Sequence, residues 1–165
     1  MIAAYAQLPS AERARCPLVV VGGKGWGNLD LPAQAEALRA DGTLRFLERA
    51  TNRQLRSLYE GTKLMLMPSL YEGFGMPVVE ALACGTAVAH SVDTAMDKIS
   101  AGLARCVVAQ DLDGWADVLR EAITQNSHGD EALRETRIRR ARQFDWRRSA
   151  EIVIGSYRQL VPGRA

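Results

Sequence analysis

Two glutamates eight positions apart, Glu72 and Glu80, bracket the stretch of this sequence best suited to chemistry, with Gly73, Phe74, Gly75, Met76, Pro77 and Val78 among the residues between them. A strand is expected to end at Met67 or Pro68, a loop with two glycines follows, and the composition predicts a helix over Pro77–Cys84 that stops at Gly85. Both punctuation marks fit, because proline is favoured at the first helical position and glycine just past the last. The glycines let the backbone come close to a ligand and leave N–H groups exposed at the helix start, where the dipole favours negative charge. A diphosphate suits that cradle. Glu72 falls in the loop and Glu80 about one turn inside the helix, so the two carboxylates can reach different parts of one extended ligand. Each can accept from the paired hydroxyls of a sugar or a ribose.

Other candidates are weaker in chemistry. Gly22 and Gly23 close the apolar run Leu18-Val19-Val20-Val21 and either turn the chain or meet a ligand. Lys24 follows them as a solvated charge or a phosphate contact. His90 and His128 lack partners at metal-like spacing, and Cys16, Cys84 and Cys106 form no CxxC pair. Neither a metal site nor a disulfide framework is expected, and the cysteines read as small core residues in a reducing compartment. Trp26 and Trp115 read as packing residues.

The elements that must position these groups alternate. Leu18–Val21, Thr43–Leu47, Lys63–Met67, Thr86–Ala89 and Arg105–Val108 are expected strands, the first buried on both faces. Leu31–Ala40, Asn52–Gly61 and Pro77–Cys84 are expected helices, the second capped by Thr51 or Asn52. This alternation predicts a parallel sheet of right-handed βαβ units. Beyond Val108 only helices are expected, over Leu112–Gln125, Glu131–Phe144 and Trp146–Leu160. Met1–Leu8 reads as the second half of an amphipathic helix followed by a polar turn, so the domain is expected to begin in mid-element.

Composition narrows the function classes. Hydrophobic residues make up 47% and charged residues 24% of the 165 positions, and the net charge is +2. That balance suits one globular core and does not favour nucleic acid as a partner. No run reaches the ~18 apolar residues of a membrane span, and the first residues lack the features of a signal peptide, so a cytoplasmic location is expected. The basic stretch Arg134 to Arg148 is expected to be a solvated face, with peripheral contact to the inner face of a membrane as the alternative.

The strand ending Val-Gly-Gly, the Glu-x7-Glu pattern in PSLYEGFGMPVVEALACGT and the closing RRARQFDWRRSA resemble the retaining GT-B glycosyltransferases called family 4, or group 1, along essentially the whole chain. The resemblance implies an α/β, Rossmann-like parallel sheet flanked by helices with a helical C-terminal tail, forming one half of a GT-B fold. Residues 1–165 would then be the C-terminal nucleotide-sugar-binding domain, truncated at its N-terminal edge. The acceptor domain of the same polypeptide would lie upstream. Glu72 would contact the transferred sugar, Glu80 would hold the ribose hydroxyls, and the amides around Phe74, Gly75 and Met76 would meet the diphosphate. Val-Gly-Gly-Lys-Gly-Trp, residues 21 to 26, resembles a loop of mannosyl- and related transferases and points to a GDP- or UDP-hexose donor, with no metal cofactor and a glycan or lipid-linked acceptor.

Three departures qualify the resemblance. The family takes an Arg and a Lys for the diphosphate from a segment preceding Met1, so donor binding by these residues alone is expected to be weak. Phe46-Leu47-Glu48-Arg49-Ala50 replaces Phe-Leu-Gly-x-Val beside the base, and Asp97-Lys98-Ile99 replaces Pro-Glu-Val. A non-catalytic nucleotide-binding or scaffold module, and a GT-B phosphorylase or sugar-nucleotide epimerase, remain alternatives.

Overall fold

A computed structural model of the chain describes residues 1–23, 31, 33–124 and 130–160. Five strands alternate with helices in the order α1 (Ile2–Ala6), α2 (Ser10–Arg15), β1 (Leu18–Val21), α3 (Gln34–Ala40), β2 (Leu44–Leu47), α4 (Asn52–Gly61), β3 (Met65–Met67), α5 (Met76–Ala83), β4 (Val88–Ser91), α6 (Ala95–Ser100), β5 (Ala104–Val107) and α7 (Leu112–Thr124). Two further helices, α8 (Glu131–Ala141) and α9 (Trp146–Leu160), complete the tail. Every pairing is parallel, as the alternation requires. The strands form two ladders, β1–β2 and β3–β4–β5, and not the single sheet expected from the sequence.

Period-two alternation builds a core on each side of the strands. Leu64, Leu66, Ala89 and Val107 face one side with Leu18, Val20 and Leu44, where they meet Ala4, Tyr5 and Leu8 around α1, Ala35 and Leu38 of α3, and Trp115, Leu119 and Ile123 of α7. This cluster draws side chains from both ladders and so joins them through packing. Met65, Met67, Val88 and Ala104 face the other side and pack on Val78, Val79 and Leu82 of α5, Met96 and Ile99 of α6, and Ala141 of α8. Trp115 is a packing residue, fully buried with its indole N–H donated to Ala109 O at 3.3 Å.

Local chemistry explains the element ends. Thr51 caps α4 through a reciprocal box with Gln54: the Gln54 N–H donates to the threonine hydroxyl at 3.3 Å, and the Thr51 N–H donates to Gln54 Oε1 at 2.9 Å. Thr94 and Asp97 make the same arrangement at α6, a helix that apolar periodicity did not predict because it is only six residues long. Likewise the supposed polar turn after Pro9 is the short helix α2. β1 has the expected limits, and those of the other four strands differ from expectation by one or two residues.

Three other expectations are corrected. β1 is not buried on both faces: Val19 and Val21 stay 39% and 41% exposed, opposite Leu18 and Val20. Cys106 is exposed, and Cys16 and Cys84 are half-buried, so none is a fully buried core residue. The basic helix α8 is not simply a solvated face. Arg137 is buried and donates to Gly85 O at 3.3 Å, and Arg140 donates from Nε to Ile99 O at 2.8 Å and from its terminal nitrogen to Lys98 O. The Lys98 and Ile99 carbonyls lie at the C-terminal end of α6 and Gly85 just past that of α5, where a cation also complements the helix dipole.

Among the described residues no helix is long and apolar enough to cross a membrane. If Arg140 braces α6, Arg140→Ala should lower unfolding stability by about 1.5–3 kcal/mol, the range for hydrogen bonds from a charged donor. The exposed neighbour variant Arg139→Ala should stay within about 0.5 kcal/mol. Urea unfolding followed by circular dichroism measures both.

Candidate functional site

β3 delivers the chain into the loop that precedes α5, and Gly75 makes the junction. Its φ is +94°, the left-handed region that favours glycine, and it is the N-cap of α5. A Cβ added there would stand 2.7 Å from Met96 Cγ and 3.5 Å from Ile99 Cδ1. Two constraints thus demand glycine: the backbone angle, and close contact with α6 behind the loop. Gly73, by contrast, has open space where a side chain would be.

The N–H groups at this helix start divide sharply. Pro77 has none to give, and the Val78 N–H donates to Gly75 O at 2.9 Å. Val78 is also fully buried. It therefore supports the cradle by packing and is neither a donor to a ligand nor a side-chain contact, which corrects the sequence-based assignment. Among the described residues, the N–H groups of Gly73, Phe74, Gly75 and Met76 take no hydrogen-bond acceptor. The set available for an anion is thus shifted towards the loop.

Phe74 and Met76, 45% and 40% exposed, flank Gly75. The Phe74 ring meets Phe144 edge-to-face at 5.8 Å and 82°, and Arg140 lies over Phe144 with 5.0 Å to the ring centroid. One arginine of α8 therefore holds both the aromatic support of the loop and the end of α6 that backs Gly75.

Glu72 is half-buried in the loop and, among the described residues, has no hydrogen-bond or ion-pair partner. Glu80 is half-buried on α5, and its Oε2 accepts the Tyr59 hydroxyl at 3.1 Å. Tyr59 is itself fixed, since its carbonyl accepts the Thr86 hydroxyl at 2.7 Å. Burial, followed by the Glu80 charge, raises the tyrosine pKa above its ordinary 10.0. The phenol thus stays protonated and able to donate. Glu80 is consequently oriented by one oxygen, with Oε1 left for another partner.

Gly22 and Gly23 end β1 as expected. Gly22 has φ +135° and donates its N–H to Leu47 O at 3.0 Å, and both glycines are exposed. They lie, like the loop before α5, at the carboxyl end of a parallel strand, where open α/β sheets receive ligands. Lys24, Trp26 and His128 lie outside the described residues. A small cavity lined by Tyr59, Glu60, Lys63, Cys84 and Arg134 sits at the other end of α5, away from Gly75. It is the N-terminal end that combines unpaired N–H groups with carboxylates, and this carries more weight than enclosure.

Tyr59, Met96, Arg140 and Phe144 were not recognisable as supports from sequence. Tyr59 looks like any helical aromatic until its hydroxyl is placed. The arginines of α8 looked solvated because hydrogen bonds to backbone carbonyls of distant segments leave no pattern in their own segment.

The family profile described as glycosyl transferases group 1 matches residues 1–144. O-antigen chain mannosyltransferase B of Escherichia coli is 28% identical over 160 residues, covering 97% of this chain and 42% of that protein. D-inositol 3-phosphate glycosyltransferase of Frankia alni is 32% identical, covering 91% and 38% respectively. Sucrose-phosphate synthase of Thermosynechococcus elongatus superposes with a TM-score of 0.73 at 25% identity, over 96% of this chain and 41% of that one. The chain thus spans about two fifths of the length of these relatives. Its fold is a GT-B-like, Rossmann-type arrangement of parallel strands flanked by helices. With the profile covering 144 of its residues, the chain belongs to the group 1 glycosyl transferases.

Proposed function

We propose that this chain is the donor-binding half of a retaining family 4 transferase that moves a hexose, mannose- or glucose-like, from a GDP- or UDP-sugar to a glycan or lipid-linked acceptor. The observation that carries this reading is the run of four N–H groups without acceptors, Gly73 to Met76, set between Glu72 and an oriented Glu80. A diphosphate supplies the acceptors those groups lack. Relatives that include a mannosyltransferase and a sucrose-phosphate synthase support sugar transfer as the reaction class.

In this reading Glu80 receives the ribose hydroxyls on Oε1 while Tyr59 holds Oε2. Glu72 orients the transferred sugar. Gly22 and Gly23 line the far side of the donor, Phe74, Gly75, Met76 and Pro77 line the diphosphate, and Lys24 is the further phosphate contact expected from the sequence. As the sugar–phosphate bond breaks, negative charge grows on the departing oxygens. Preorganised N–H donors stabilise that growing charge more than the ground state, which is the condition for lowering the barrier. The diphosphate itself then assists attack on the same face, so retention requires no protein nucleophile. The reaction needs no metal, because the helix start and its amides supply the positive potential. The acceptor is held by an N-terminal domain of the same polypeptide, whose closure excludes water.

Glu80→Ala should weaken binding of GDP-mannose or UDP-glucose roughly 10- to 100-fold, the equivalent of losing hydrogen bonds to a charged group. Tyr59→Phe should weaken it only about 3- to 10-fold, because the carboxylate remains and loses its orientation alone. Ligand-observed NMR at millimolar donor reads both. Absence of binding to any nucleotide sugar would argue against the reading. Gly75→Ala tests the cradle: with the backbone forced off its left-handed angle and a Cβ against Met96, stability should fall by about 1–3 kcal/mol and donor binding should fall with it. Thermal unfolding and the same NMR titration provide the comparison.

A further inference from the structure

His90 and Cys106 occupy facing positions in the parallel register of β4 and β5, and Asp97 reaches them from α6. Hydrogen-bond accounting settles which of their atoms are available. His90 Nδ1 lies 3.0 Å from the Ser91 carbonyl oxygen, which can only accept, and 4.0 Å from Asp97 Oδ1, so the neutral ring carries its proton on Nδ1 and Nε2 is the acceptor nitrogen. Nε2 faces the Ser100 hydroxyl at 2.8 Å and the Cys106 sulfur at 3.9 Å. Asp97 Oδ2 is used by the Thr94 N–H at 2.8 Å, which leaves Oδ1 facing Cys106 Sγ at 3.5 Å. The His90 nitrogen, carboxylate oxygen and sulfur lie within 4.8 Å of one another.

We propose that His90, Asp97 and Cys106 bind one Zn²⁺ ion, with water in the fourth position. A tetrahedral zinc with ordinary bond lengths sets its sulfur ligand roughly 3.6 Å from a nitrogen or oxygen ligand, and the two distances here fall on either side of that value. The Nδ1–H bond to a backbone carbonyl is the support that metal-ligating histidines commonly have. The Ser100 hydroxyl, 2.8 Å from Nε2 and 3.4 Å from Asp97 O, has to turn aside for Nε2 to bind the ion, and Asp97 O offers its proton another acceptor. His90 is fully buried, whereas the Asp97 side chain is 36% exposed and Cys106 is exposed, so an ion enters from the solvent side and keeps a water there. On binding, the Cys106 S–H bond breaks, its proton leaves to solvent and the sulfur–metal bond forms. Thiolate and carboxylate together then balance the dication.

The site would lock β4, β5 and α6 together, and Met96, next to Asp97 in α6, is the residue that backs Gly75. It does not depend on the donor reading. Its intervals of seven and nine residues match no metal-binding pattern, so the site has no signature in the sequence.

Titration of the metal-free, reduced chain with Co²⁺ tests the proposal. One equivalent should produce a near-ultraviolet thiolate-to-cobalt charge-transfer band and visible absorption of four-coordinate strength, both removed by Zn²⁺. Cys106→Ser should abolish the charge-transfer band, and Asp97→Asn should weaken cobalt binding at least about tenfold, with far-ultraviolet circular dichroism unchanged in both. The proposal is overturned if no such band develops, if it survives in Cys106→Ser (which would put the metal on Cys16 or Cys84), or if Asp97→Asn binds like the parent chain.

Discussion

The site depends on one backbone constraint: Gly75 held at a positive φ against Met96 and Ile99. That angle turns the chain from the loop into α5, and the N–H groups of Gly73 to Met76 have no acceptor among the described residues. The contact behind it keeps the turn from relaxing, since α6 fills the space a side chain would take. An N–H cradle is useful only when it is already formed before charge arrives, because the barrier falls by the amount that need not be spent on reorganisation. Rigidity at this residue keeps those N–H groups in place.

Much of the rest of the fold maintains that contact. Arg140 ties the end of α6 to α8 and covers Phe144, which in turn supports Phe74. Buried Arg137 bonds to Gly85 O, at the far end of the same helix that begins at Gly75. Both ends of α5 are thus fastened by one basic helix, while its apolar face, Val78, Val79 and Leu82, packs on the strands. Tyr59 fixes Glu80 from α4. Loop, acid and helix start are positioned by different elements, so their mutual geometry is a property of the whole domain.

The alternation of strands and helices was legible because apolar runs punctuated by Gly and Pro leave a strong signature, and Pro77 and Gly85 marked α5 to within a residue. The glycine turn that leads into α5 was also legible. Val78 was misassigned because sequence shows where a helix starts but not which N–H groups its first turn already uses. The two-ladder arrangement was hidden as well, since hydrogen-bond partners among parallel strands are set by crossovers and not by strand composition. Supports such as Arg140, and the meeting of His90, Asp97 and Cys106, depend on tertiary contacts between distant segments and leave no local pattern.

The central claim is that the N–H groups before α5 receive a diphosphate. Backbone amide chemical shifts of the ¹⁵N-labelled chain, followed during titration with GDP and with UDP, test it most directly. The account predicts that Gly73, Phe74, Gly75 and Met76 shift together and saturate with a single affinity, while Val78, whose N–H is already bonded to Gly75 O, moves little. Shifts confined to the cavity around Glu60, Lys63 and Arg134, or none at millimolar nucleotide, would contradict it.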